Sequence, residues 1–367
     1  MTSREPLIHI VKRDGLVWWR AWLTRLAAAC LALLVCALFI YSITRLDPLK
    51  VYGAMWQGAF GSARRAWITA RDAAMLLCIG VGLAPAFMMR FWNVGAEGQV
   101  LMGGCATAAV LIYCGRSLPT GALLTVGLAV SLAAGALWGV IPAIFKARWN
   151  TNETLFTLMM NYIAIQLTCF LVAKWENPKG SNSVGIINQQ TQAGWFPSLL
   201  GKQYLLNVVI VLAVTVAMYF YLRYTKQGYE ISVVGESENT ARYAGISVKR
   251  VLVRTMAVSG AICGLSGFIA VAGSSHTIST STAGGRGFTA IIVAWMAKFN
   301  PFVMIVIAVL LTFLEKGAIQ IASQFNLNDY ASDVVTGIIL FFLLGSEFFI
   351  QYSVRLRSHG RKKEADP

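Results

Sequence analysis

Residues 91–104 read FWNVGAEGQVLMGG. A carboxylate, Glu97, stands between two amides, Asn93 and Gln99, with glycines at 95, 98, 103 and 104 and apolar sequence on both sides. In hydrocarbon an ionised carboxylate costs on the order of 2.5–3.5 kcal/mol even on lenient insertion scales, so Glu97 must face water, meet a donor or hold a proton. Gly95 and Gly98 weaken helix around it, and a broken helix frees backbone N–H and C=O groups that are tolerable only inside protein or along a cavity. The residues leave three readings open. Glu97 caps the helix that follows, near its positive N-terminal end; it touches a permeant; or it makes a buried polar contact between helices.

A second polar, Gly-rich place lies at 273–301, GSSHTISTSTAGGRGFTAIIVAWMAKFNP. Serines, threonines and glycines lead to Arg286 and Phe288, after which a short apolar segment follows. That pattern predicts a re-entrant or half-length helix, the device by which transporters bring helix ends to midplane depth. Arg286 either snorkels to the interface, pairs with a carboxylate or holds an anionic group; His276 reads as an ordinary polar loop residue. Asn161, in LMMNYIAIQ, can hydrogen-bond across helices. The candidate pathway residues are therefore Asn93, Glu97, Gln99, Asn161, Arg286 and Phe288.

What carries these residues follows from composition. Of 367 residues 57% are hydrophobic and only 13% charged, with a mean hydropathy of +0.62, whereas soluble domains carry roughly a quarter charged residues. Apolar runs of about 20 residues, the length that crosses a bilayer, recur near 26–43, 72–90, 97–115, 121–145, 154–173, 204–222, 255–273, 302–323 and 333–351, with a shorter one at 287–299. The expectation is an all-α polytopic membrane protein with about ten transmembrane helices (8–10), some broken or re-entrant. Basic residues flank the first and last spans, so the net charge of +15 reads as orientation by the positive-inside rule, with both termini cytoplasmic, and not as nucleic-acid binding. Trp18, Trp19 and Trp22 suit an interfacial helix before the first span. GALWG (135–139) and GAICG (260–264) read as close helix packing. The seven cysteines form no CxxC pair, which argues against a metal or disulfide framework.

The domain plan has a cytoplasmic or interfacial segment at 1–25, a membrane domain at 26–352 and a basic cytoplasmic tail at 353–367. Residues 44–71 read as the first outer loop. A longer outer loop at 174–203 is either a docking surface or a cap, and an inner loop at 223–254 ends in basic and apolar residues suited to short helices on the membrane face. Neither is large enough for a catalytic domain. The sequence holds no GxxxxGK[ST], HExxH or GxSxG, so it cannot cradle ATP phosphates in a P-loop and shows no catalytic constellation; it reads as a non-enzyme, with no metal site.

Three segments in order carry a family resemblance. FWNVGAEGQ resembles the FNIGAEGQ segment of ABC-importer permeases in the branched-chain amino acid/ribose group, nucleoside and simple-sugar branch. VVGESENTARYAGISVKR (233–250) is similar to that family's cytoplasmic G-(E/G)-N-x-x-A-A-(R/K)-x-(A/S)-G-I segment, with Ser237 where Asn is usual and Thr240 where Ala is usual. GRGFTAIIVAWMAKFNP (285–301) resembles G-x-G-F-x-A-I-A-V-A-L-(L/M)-G-x-x-x-P. The resemblance, which spans about 24–352, implies a type II importer permease of the bacterial cytoplasmic membrane. It implies as partners a cytoplasmic ABC ATPase that binds ATP and Mg, a second homologous permease forming a heterodimer, and an extracytoplasmic substrate-binding lipoprotein of the basic membrane protein type. The chain itself would carry no cofactor. Residues about 235–247, with Gly235, Glu236, Ala241, Arg242, Ala244, Gly245 and Ile246, would form a coupling helix against the ATPase. The implied cargo is a nucleoside, with a simple sugar as the alternative; an ion-coupled secondary transporter, with Glu97 and Glu315 carrying protons, is a third reading from another class.

Overall fold

The computed structural model describes residues 8–12, 17–44, 47–325 and 329–356. Arg4, Arg13 and the basic tail residues Arg357, Arg361, Lys362 and Lys363 lie outside them. Eight helices among the described residues are long and apolar enough to cross a bilayer, as the hydropathy pattern predicts. The chain divides into two compact units, residues 1–59 with 314–367, and residues 60–313.

The first unit contains α1 (Trp18–Thr44), α2 (Pro48–Phe60) up to residue 59, the end of α12 (Pro301–Gln324) and α13 (Asp329–Gln351). α1 packs on α13, with the Cys36 thiol donating to the Val335 carbonyl oxygen at 3.7 Å, and the Tyr52 hydroxyl of α2 donates to the Leu33 carbonyl oxygen of α1. Two short strands, β1 (Ile8–Lys12) and β2 (Tyr352–Leu356), pair antiparallel with Ile8 opposite Leu356 and Lys12 opposite Tyr352. Trp18, Trp19 and Trp22 do not form a separate interfacial helix: α1 begins at Trp18 and runs without interruption into the first span.

In the second unit α3 (Ala63–Met88), α4 (Ala96–Cys114), α5 (Thr120–Trp149), α6 (Glu153–Trp175) and α7 (Leu205–Tyr224) are followed by α8 (Lys226–Glu236), α9 (Glu238–Tyr243) and α10 (Val248–Ala270). α10 continues as one π-helical turn, Val271–Ser275, before α11 (Arg286–Met296) and the start of α12. The apolar stretches of α3 and α10 are 89% and 83% buried, against 28% for those of α5 and α7. α3 and α10 therefore form the centre and the others surround it. The small residues of α5 and α10 are the reason these helices approach so closely. A Cβ on Gly135 would lie 2.2 Å from the Gly260 carbonyl oxygen.

Residues 47–71 of the expected first outer loop are mostly helical. They form α2 and the first turns of α3, which starts at Ala63 behind Ser62, whose hydroxyl oxygen accepts the Arg65 N–H at 3.2 Å. Charged residues at a helix end reach water without ending the helix, so the apolar run underestimates the helix by its polar first turns.

Candidate functional site

α3 ends at Met88, and Arg90 turns the chain with a left-handed φ of 59°. Residues 91–95 then run without helical structure before α4 begins. The break that the glycines predict is therefore real, and its freed backbone groups are bonded inside the protein. Asn161, on α6, accepts the Gly98 N–H at 2.9 Å and donates to the Val94 carbonyl oxygen at 2.9 Å. The hydroxyl oxygen of Thr157, one turn earlier, accepts the Val94 N–H at 3.2 Å. Asn93 folds back so that its Oδ1 accepts the Gly95 N–H at 3.0 Å and the Gln99 amide at 3.3 Å, while its Nδ2 donates to Ser259 on α10 at 3.3 Å. Asn93, Gln99 and Asn161 are all buried. They bind α4, α6 and α10 around the break, as buried polar groups must if they are not to be left unpaired.

Glu97 has a different partner from any that its neighbours in sequence suggest. Its two carboxylate oxygens accept the N–H groups of Gly285 and Gly287 at 2.7 and 2.8 Å. These donors open α11, so Glu97 sits in the first turn of α4 and caps the N-terminus of α11. A carboxylate there meets unsatisfied N–H groups and the positive end of the helix dipole. Two glycines make the approach possible. Gly285 has a φ of 74°, which side chains rarely adopt, and a Cβ on Gly287 would lie 2.6 Å from the Glu97 nitrogen. α11 has only 11 residues, about 16 Å at 1.5 Å per residue, so it is the half-length helix that the sequence predicts.

Arg286 starts α11 and reaches α3. Its guanidinium lies 3.6 Å from the Asp72 carboxylate and 3.3 Å from the Met75 sulfur. Arg71 holds the other carboxylate oxygen of Asp72 at 2.8 Å. Asp72 is buried and paired with both Arg71 and Arg286 beside the start of α11. Asp72 was absent from the sequence candidates because RD (71–72) falls at the edge of the apolar run. Its signal is an acid followed directly by AAMLLCIG. Phe288, in the first turn of α11, is 45% exposed. At the other end of α11, Trp295 stacks on Trp92 at 5.2 Å, and Phe87 and Phe299 complete an aromatic group. α11 thus bridges the polar break at one end and an aromatic group at the other.

The 235–247 segment is not one helix. α8 stops at Glu236, and Ser237 starts α9 by accepting the Thr240 N–H at 3.2 Å. Gly245, with a φ of 76°, closes α9 by donating its N–H to the Arg242 carbonyl oxygen at 3.0 Å. Ala241 faces inward, while Glu236, Arg242, Tyr243, Ala244 and Gly245 are exposed, Tyr243 at 92%. Ile246 is half-buried. Gly235 lies against the end of α3, where a Cβ would stand 2.0 Å from the Met88 carbonyl oxygen. Ile231, Val234, Ala241 and Val248 share one apolar cluster with Ala86, Met89 and Phe91. The surface helices and the break before α4 therefore pack as one body.

Residues 67–344 match the family described as branched-chain amino acid transport system, permease component. The chain is 30% identical over 343 residues to the guanosine ABC transporter permease protein NupP of Bacillus subtilis, covering 92% of this chain and 94% of that protein. It is 27% identical over 307 residues to the nucleoside ABC transporter permease protein NupB of Lactococcus lactis, 81% of this chain and 84% of the relative. To the glucose ABC transporter permease protein TsgB13 of Haloferax volcanii it is 26% identical over 358 residues, 95% and 93% of the two chains.

Proposed function

The chain belongs to the family of branched-chain amino acid transport system permease components, and from that premise we propose that it is one transmembrane half of an ATP-driven importer whose cargo is a nucleoside. As an ABC-importer permease it is a multi-pass membrane subunit and not an enzyme. The nucleoside reading rests on full-length likeness to NupP and on likeness to NupB. The glucose permease relative supports a simple sugar as the second reading.

The observation that carries the mechanism is the packing of α8 and α9 against the end of α3. A permease without a nucleotide site needs an ATPase, which binds ATP and Mg, and a second permease to complete the pathway. In our reading that second permease is a different chain, and an extracytoplasmic lipoprotein of the basic membrane protein type delivers the cargo. The exposed face of α9, with Arg242, Tyr243, Ala244 and Gly245, is where the ATPase pushes. Gly235 and Met88 pass the movement to the break at 91–95, and Glu97 passes it to α11. Asn93, Gln99 and Asn161 keep the break in shape, while Arg286 and Phe288 mark the pathway end of α11.

The test is uptake of a labelled purine nucleoside by cells with and without the gene, competed by unlabelled pyrimidine nucleosides, ribose and galactose. Gene-dependent uptake blocked by nucleosides alone is the expected result. Unchanged nucleoside uptake in the deletion strain together with lost sugar uptake moves the cargo to the second reading.

A further inference from the structure

The end of α10 remote from α8 and α9 closes over a cavity of about 480 Å³. Its floor is the π-helical turn, which supplies Gly273, and His276 just beyond it; Trp195 and Phe196 form an aromatic wall, and Gln192 and Gln203 stand at the rim. Single π-helical turns are frequent at functional sites. His276 and Gln192 both adopt left-handed backbone, with φ of 52° and 51°, a strain that persists only where the surroundings impose it.

The surroundings do so here. The His276 ring lies flat on Trp195, 3.8 Å between centroids and 9° apart. The Ile187 N–H donates to the His276 carbonyl oxygen at 2.8 Å, the Trp195 indole N–H to the Ile187 carbonyl oxygen at 2.9 Å, and the Phe196 N–H to the Ala272 carbonyl oxygen at 3.0 Å. These bonds tie the 187–203 loop to the end of α10, so the cavity has a fixed frame. A side chain at position 273 would meet Phe196 at 2.6 Å and push the wall inward.

The chemistry of the lining selects a ligand. None of the lining residues carries a fixed charge, and burial pushes the His276 imidazole below its ordinary range, which leaves it neutral at pH 7. An anion finds no counter-charge. A purely apolar molecule leaves the amides of Gln192 and Gln203 without partners, which is unfavourable. The Nδ1 of His276 is buried and has no hydrogen-bond partner among the described residues. The volume falls in the range of small-molecule sites.

We propose that this cavity binds the imported molecule before it enters the pathway, and that it selects a neutral compound with a flat ring and several hydrogen-bonding groups, the chemistry of a nucleoside. The site rests on the importer reading above and adds to it a place and a selection rule. Trp195 and His276 supply flat surface to the ring, while Gln192 and Gln203 bond its polar edge.

The experiment is equilibrium binding of tritiated guanosine to the complete permease–ATPase assembly in lipid nanodiscs, without the binding protein. Gln203→Leu and Trp195→Ala are each expected to weaken binding about tenfold, the scale of a lost hydrogen bond or a lost base-stacking surface. Trp195→Phe is expected to retain most of it. Gln203 sits at the rim, so its variant tests the site even where Trp195→Ala fails to fold. Equal binding by wild type and both variants overturns the proposal, as does no binding by a wild-type assembly that imports guanosine in cells. Variants that bind guanosine normally but lose capture of the binding protein assign the cavity to protein docking and overturn it too. If cells lacking the gene import guanosine normally, the importer reading itself fails.

Discussion

At the scale of single residues, the buried carboxyl group of Glu97 is accounted for by a pair of hydrogen bonds. Glu97 meets two N–H groups that would otherwise be orphaned at the start of α11. Glu97→Gln keeps the shape but offers one oxygen and turns an amide N–H toward the second donor. We expect it to destabilise the chain by about 1–3 kcal/mol and to lower uptake, read by thermal unfolding in detergent and by a transport assay. Asp72→Asn leaves Arg71 and Arg286 facing a neutral amide. It is expected to cost up to about 3 kcal/mol, with membrane insertion unaffected; an unfolding midpoint equal to wild type would remove the charge group from the account. Glu97 was legible as a residue that needed a donor, but its capping reading named the helix that follows it, α4, whereas the carboxylate makes a buried contact between helices and caps α11. Which helix it caps was not legible, because the donors lie 188 and 190 positions away and no local rule links them.

At the scale of elements, α11 is half-length because Gly284 and Gly285 precede it and Ala297 and Lys298 close it. That much reads from the sequence, since a Ser/Thr/Gly run before a short apolar segment has few other outcomes. The length of α3 does not, because charges at its start conceal helix that the hydropathy pattern assigns to a loop. Ser237 shows the physical content of a departure from a family pattern. Ser and Asn are both good N-caps, and Ser237 caps α9 here, so the change preserves the geometry. The junction of α8 with α3 gives the sharpest element-scale prediction. Gly235→Val would force a Cβ toward the Met88 carbonyl oxygen, now 2.0 Å from that position. We expect normal insertion, retained ATPase association and at least tenfold loss of uptake. Arg242→Glu on the exposed face of α9 is expected instead to lose ATPase association with the chain's own stability unchanged. If pull-down with the ATPase and uptake both survive Arg242→Glu, α9 is not the coupling element.

At the scale of the whole molecule, the class of protein was legible at once, because 13% charged residues cannot cover a water-facing globule of 367 residues. The pairing of β1 with β2 was not, since strands that join opposite ends of a chain leave no local signal. That pairing sets residues 8–12 beside residues 352–356, and from the basic flanks we expect both termini to lie in the cytoplasm. Epitope tags at either end are expected to resist protease in intact cells and to be cleaved after permeabilisation; cleavage of one tag in intact cells would break this topology. The central claim is that ATP hydrolysed elsewhere drives nucleoside import through this chain. It is tested most directly by guanosine uptake in cells whose proton gradient is collapsed while ATP is maintained, with and without the gene. The account predicts uptake that depends on the gene and persists without the gradient. Gene-dependent uptake that disappears with the gradient would make the chain an ion-coupled carrier and contradict the account.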